Sequence, residues 1–178
     1  MEIRKEKSPK ESLIVSRKLV MPDQINPNGI LFGGVLMSWM DKVAYMSAQK
    51  HAERVYVVTA NIDNIQFLYP LKVGDHAVLT ALVEYTGTSS MEVAVLVERE
   101  EPGTSITEKV ASACLTFIAL DKNTKPVPVP ALALASDAER ERFEQARIRV
   151  AVRNKMRAYF KRRVAARSEL PPEGTVSH

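Results

Sequence analysis

The stretch Val35-Leu36-Met37-Ser38-Trp39-Met40-Asp41-Lys42-Val43-Ala44-Tyr45-Met46-Ser47-Ala48-Gln49-Lys50-His51 consists of strong helix formers and carries apolar residues on almost every side. A helix with so little polar surface has to be wrapped by other structure, and a curved sheet is the natural wrapper. The chain supplies one. Four long β-rich runs follow: Val55 to Tyr69, Asp75 to Tyr85, Ser89 to Glu100 and Thr104 to Leu120. Turn signals at Pro70, Val73-Gly74-Asp75, Thr86-Gly87-Thr88 and Pro102-Gly103 separate them. Alternation is plain from Met91 to Glu98, and the short connections from the second run onward favour antiparallel hairpins. The expected class is α+β: one apolar helix, then a meander of long strands curled round it.

Outward from this unit, Ser12 to Val20 has enough branched residues for a short first strand, and Met21 to Gly34, rich in Pro, Asn and Gly, reads as a structured loop. Met1 to Glu11 is charged throughout and is expected to be a flexible N-terminus. Downstream, the core domain ends near Asp121, and Lys125-Pro126-Val127-Pro128-Val129-Pro130 is held extended by its alternate prolines. A second helix is expected from Ser136, where Ser136-x-x-Glu139 has the form of a capping box. The division is then a domain over residues 12–130, a charged C-terminal helix within 131–167 and a disordered tail over 168–178.

At 178 residues the chain suits one hydrophobic core, and its 46% apolar and 26% charged composition is that of a globular protein. No apolar run approaches a membrane span or a signal peptide, so a soluble, cytoplasmic protein is expected. The net charge of +4 is uneven: Ser136 to Arg167 carries +7 and the remainder −3. That basic segment reads first as a solvated face, with acids in its early turns and bases later as the helix dipole prefers. No nucleic-acid partner is implied. The single cysteine, Cys114, reads as a small core residue rather than a reactive thiol. His51, His76 and His178 are scattered, so neither a Ser-His-Asp triad nor a metal cluster is supported, and phosphate-loop motifs are lacking. No metal or cofactor is expected.

Three features stand out. Asp41 sits inside the most apolar helix, and a carboxylate there costs several kcal/mol unless it is paired, hydrogen-bonded or faces a cleft. Its neutral alternative is a helix-edge acid reaching solvent or a subunit contact. Lys42 is adjacent but about 100° round the helix, which makes it a poor permanent partner. Gly33-Gly34 precedes the helix, where backbone approaches a ligand closely and free N–H groups can bind an anion or a developing oxyanion. Asn26, in Asn26-Pro27-Asn28-Gly29, is either a turn residue or an amide that orients a water or polarises a carbonyl. Met37, Met40, Tyr45 and Met46 either line an apolar tunnel or fill the core.

Taken as an ordered series, Met21-Pro22, Asn26 to Gly34, Met40-Asp41, Val57-Val58-Thr59, Phe67-Leu68-Tyr69-Pro70, Val73-Gly74-Asp75 and Gly87-Thr88-Ser89-Ser90 resemble the hotdog acyl-CoA thioesterases of the YciA and brain acyl-CoA hydrolase type. The resemblance covers roughly residues 12 to 130. It implies a helix wrapped by an antiparallel sheet, protomers paired edge to edge as a double hotdog, and further assembly as a trimer of dimers. The substrate it implies is an acyl-CoA, hydrolysed to a free acid and CoA. By the same resemblance, Asp41 is the catalytic acid and Asn26 works with it from the partner protomer. Gly33, Gly34 and Thr59 contact the thioester end, and Gly87, Thr88, Ser89 and Ser90 lie along the CoA.

The chemistry agrees with the resemblance: thioester hydrolysis needs a base or nucleophile beside the carbonyl and donors aimed at the oxyanion, and needs no histidine. The chain departs from its relatives at Tyr56 and Tyr69, where they often carry bases that bear on the CoA phosphates. Arg54, Lys72 or bases of the C-terminal helix of a neighbouring subunit are the candidates to compensate. A non-catalytic acyl-CoA sensor is the alternative. A hotdog dehydratase is disfavoured, because no histidine lies near the helix start.

Overall fold

The computed structural model describes residues 5–53, 56–100 and 107–168. Helix α1 spans Gly33–Ala52, and its buried side chains include Leu36, Met40, Val43, Ala44, Ser47 and Ala48, a spacing of three and four that makes a single stripe. The sequence shows apolar residues nearly all round this helix because Met37 and Met46 are apolar yet 37% and 41% exposed, on the side away from the stripe.

The stripe packs on a five-stranded antiparallel sheet of β2 (Ile14–Leu19), β3 (Val57–Phe67), β4 (His76–Thr86), β5 (Ser90–Glu100) and β6 (Thr107–Ala119), in the order β2-β4-β5-β6-β3. Their alternation sends Leu79, Val83, Met91, Val93, Val95, Leu115 and Phe117 into the core with Met40 and Val43 of α1. Each fully buried Leu or Phe of this kind contributes about 1.5–3 kcal/mol. Here lies the hotdog arrangement, with one correction. The meander holds for β4, β5 and β6, but β3 does not pair with β4; it crosses to the far side and pairs with β6. The two edge strands, β2 and β3, therefore flank the open side of the curved sheet, where α1 shows its unburied surface.

Residues 1–11 were expected to be flexible, but from Lys5 onward they take up regular structure and contacts. A short strand β1 (Glu6–Lys7) pairs in parallel with β7 (Ala131–Leu132). Lys7 Nζ, 8% exposed, donates to the Lys50 carbonyl at 2.6 Å, and Lys5 and Lys7 both bridge Glu53 just past the end of α1. Two ammonium groups at a helix C-terminus are where the dipole favours them. Residues 1–4 lie outside the described residues.

The proline-spaced segment is extended as expected and is stitched to the domain by Val127 N–H to the Ala119 carbonyl at 2.9 Å and Val129 N–H to the Thr88 carbonyl at 3.0 Å. Helix α2 (Asp137–Ser168) starts at the expected capping box: Glu139 N–H donates to Ser136 Oγ at 3.3 Å, and Ser136 N–H to Glu139 Oε2 at 3.2 Å. The tail beyond Ser168 lies outside the described residues.

Helix α2 is not simply a solvated face. Its first half lies on the outer surface of the sheet, opposite α1, with Ala146 buried and the Phe143 ring 5.2 Å from that of Tyr85. Arg149 donates to Glu84 at 2.9 Å and to Glu92 at 2.8 Å, and Arg153 to Glu92 at 2.9 Å and to Asp63. Glu92 is 1% exposed, and its charge is met by both guanidiniums, each of which it shares with a second acid. Burial pushes the Glu84 carboxyl above the ordinary carboxylate range, against the pull of Arg149 and Arg142. Cys114 also faces outward, half-buried among these groups rather than in the core. The inertness expected of it stands: burial raises its thiol to about 11.

No helix among the described residues is long and apolar enough to cross a membrane.

Candidate active site

Asp41 occupies the rim of the open side. It lies one residue past Met40, which is 1% exposed, so the turn of the helix carries it off the buried stripe to a half-buried position. Thr59, on edge strand β3, donates its hydroxyl to Asp41 Oδ1 at 2.9 Å. Asp41 also borders a cleft of about 530 Å3, whose other walls are Trp39, Lys42, Tyr45 and Met46 of α1 and Ser16 and Lys18 of β2. Lys42 shares this cleft but forms no ion pair with Asp41 among the described residues. Among the described residues the carboxylate thus has one neutral hydroxyl partner and an open front.

The methionine question divides. Met40 is core, while Tyr45 and Met46 line the cleft and Met37 is exposed.

Gly33 and Gly34 form the first turn of the same helix as Asp41. The backbone donors ahead of it are engaged: Val35 and Leu36 N–H both reach the Phe32 carbonyl, at 2.9 and 3.1 Å. The Gly33 and Gly34 N–H groups are left without an intrahelical acceptor. A Cβ at Gly33 would come no closer than 3.7 Å to the Phe67 ring, so packing within the protomer does not demand glycine there.

Asn26 sits in the preceding loop. Its Oδ1 accepts from Asn28 N–H at 2.9 Å and Ile30 N–H at 3.4 Å, closing a turn that Gly29 completes with φ 73°. The turn role of Asn26 is thus carried by Oδ1, and its Nδ2 group makes no hydrogen bond among the described residues. No hydrogen bond joins Asn26 to Asp41 within the described protomer.

The Gly87–Ser90 turn is compact, with Gly87 N–H to the Ser90 carbonyl at 2.8 Å, and a Cβ at Gly87 would stand 2.6 Å from Ser90 Oγ. Thr88 is exposed at its tip and uses its carbonyl to hold Val129. Arg54 lies outside the described residues. Among the described residues no group of three or more His, Cys, Asp or Glu is placed to hold a metal ion.

Ser16 and Lys18 were missed from sequence. The signal was present: a period of two puts them on the face of Ile14, which packs against the core, so polar residues there mark a wall of a cleft.

Residues 28–106 match the profile of the thioesterase superfamily. The chain is 45% identical over 118 residues to an uncharacterised acyl-CoA thioester hydrolase, YkhA, of Bacillus subtilis, a match that spans 66% of this chain and 68% of that protein. The chain belongs to the thioesterase superfamily. Among solved structures, an acyl-CoA hydrolase from Staphylococcus aureus, in complex with butyryl coenzyme A, coenzyme A and coenzyme A disulfide, is 36% identical with a TM-score of 0.85, covering 92% of this thioesterase-family chain and 99% of that one. An apo-hexameric acyl-CoA thioesterase is 34% identical with a TM-score of 0.82, over 86% and 98% of the two chains. Coverage of 92% extends the likeness beyond the wrapped helix and sheet and into α2.

Proposed function

We propose that the protein hydrolyses acyl-CoA thioesters to a free carboxylic acid and CoA. The observation that carries this reading is Asp41 at the rim of a cleft, held by a single hydroxyl and otherwise open. Its activity needs no cofactor beyond the CoA that is part of substrate and product.

In this reading the thioester carbonyl approaches the first turn of α1, where the Gly33 and Gly34 N–H groups and the positive end of the helix stabilise the oxyanion. Asp41 then either removes a proton from attacking water or adds to the carbonyl itself. Thr59 fixes one carboxylate oxygen and leaves the other for chemistry. Thr88 at the exposed tip of the Gly87–Ser90 turn offers a place for the CoA chain.

Two protomers are needed for a complete site. Edge strand β3 is 11 residues long and its outer side is unpaired, a length that invites pairing with a second strand. A two-fold pairing of β3 with its copy closes the open side next to Asp41 and brings the Asn26 loop of one protomer towards the acid of the other. A trimer of such dimers accounts for a hexamer like that of the solved relative.

Tyr56 and Tyr69, 52% and 56% exposed, offer no cation to the CoA phosphates, and Arg142, Arg149 and Arg153 are occupied by acids. Lys72, or bases of α2 from a neighbouring subunit, carry that role in this reading. Thiol release from short, medium and long acyl-CoA esters tests the proposal. Turnover on at least one class is expected; tight binding of every ester with no thiol released would make the protein a sensor instead.

A further inference from the structure

Helix α2 is longer than the sheet beneath it. Its bases mark the path: Arg142 reaches Glu84 on β4, Arg149 spans Glu84 and Glu92 on β4 and β5, and Arg153 spans Glu92 and Asp63 on β5 and β3. The 11 residues from Arg142 to Arg153 advance about 16 Å, close to the roughly 14 Å of three strand spacings, so the helix crosses the strands steeply. At Arg153 it has reached β3, the edge of the sheet. The helix continues to Ser168, about 22 Å further, with no strand of its own chain left to cover.

That overhang is apolar along one side. Ile148, Val152, Met156, Tyr159 and Phe160 are 49–58% exposed and recur at spacings of three and four, beside the sheet-facing side that carries Arg149 and Arg153. Ile148, Val152 and Met156 also wall a cleft with Asn61, Asp63 and Asn64, which places the stripe next to the β3 edge.

We infer that the C-terminal half of α2 is a dimerisation arm that crosses the β3 seam and packs its apolar stripe, antiparallel, against the same stripe of a second copy of this chain. The inference rests on the β3 edge pairing proposed above. A two-fold axis beside β3 leaves both overhangs on the same outer surface, each lying over the other protomer. The stripe is centred near residue 154, beside the Arg153 that touches β3, so an antiparallel pair sets Val152 opposite the partner's Met156 and Ile148 opposite the partner's Phe160. A sequence-blind lipid surface has no reason to centre on the sheet edge.

The test is the oligomer dissociation constant, read by mass photometry, for the wild type and for the double variant Val152→Glu with Met156→Glu. Four like charges across one apolar seam are expected to raise it at least ~100-fold. The companion variant Val152→Lys with Met156→Lys should behave likewise alone, and an equimolar mixture of the two should regain association as hetero-oligomers. An unchanged constant, or a mixture that stays dissociated, overturns the arm. So does loss of binding to anionic phosphatidylglycerol vesicles in the Glu variant with association unchanged, which assigns the stripe to lipid. Hydrogen exchange of the β3 amides separates this from the parent reading: with β3 protected and the variants still associated, only the arm fails, whereas unprotected β3 amides in the wild type overturn the edge pairing and the arm together.

Discussion

The two faces of the sheet treat their acids in opposite ways. On the outer face Glu92 is 1% exposed and is met by Arg149 and Arg153, so its charge is cancelled inside the structure. On the inner, open side Asp41 receives only the Thr59 hydroxyl among the described residues, although Lys42 and Lys18 stand in the same cleft. A carboxylate that is buried and doubly paired serves the architecture, because removing either partner leaves a charge stranded in low dielectric. One that is held by a neutral donor at the mouth of a cleft keeps its reactivity. The contrast separates an acid committed to the architecture from one left open, and the open one is the acid proposed to act on the thioester.

The contrast breaks if the two acids exchange roles on mutation. Asp41→Asn should lower kcat for thioester hydrolysis by about 1,000-fold, within the range of general-base loss, with an unaltered unfolding curve. Glu92→Ala should do the reverse. It is expected to cost about 2 kcal/mol in denaturant unfolding, since Arg149 and Arg153 each lose a charged hydrogen bond and keep only Glu84 and Asp63, with kcat of the folded protein within about two-fold of wild type. Thr59→Ala sharpens the picture: losing a hydrogen bond to a charged group should reduce kcat by roughly 10-fold and leave KM nearly unchanged.

A smaller effect belongs to Cys114, beneath α2. With its thiol at about 11 instead of 9.0, the folded protein should react with maleimide at pH 8 about 100-fold more slowly than the unfolded chain. The sign for stability follows from the raised value. The thiol's contribution is fully present below pH 9.0 and is lost as pH rises through about 11, and Cys114→Ala should remove that part of the pH dependence.

Much of this was legible before the structure. The apolar helix, the limits of the strands to within a few residues and the Ser136-Glu139 capping box follow from local pattern, where the physics is local too. The neighbour order of β3 was not, because a period of two says which face a residue takes and nothing about which strand lies alongside. Lys7 escaped notice for a related reason: its partner is a carbonyl 43 residues away. The docking of α2 carried a faint mark in the spacing of Arg149 and Arg153, but their acids lie 57 to 90 residues distant on three separate strands. Within the candidate site, Asp41 declared itself by the cost of an acid in an apolar helix, and the resemblance singled out Thr59. Ser16 and Lys18 were marked by sharing a face with Ile14, a signal carried by only six residues of strand.

The proposed site is divided between protomers, with Asp41 of one working beside Asn26 of another. Co-expression of Asp41→Asn and Asn26→Ala chains under two affinity tags isolates hetero-oligomers for thiol-release kinetics, beside an Asn26→Ala homo-oligomer expected at about a tenth of wild-type activity. In a shared arrangement one site of each mixed dimer is wholly intact, so the mixed protein should show about half of wild-type activity. Activity no higher than half that of the Asn26→Ala homo-oligomer would contradict the claim, since both residues would then act within a single chain.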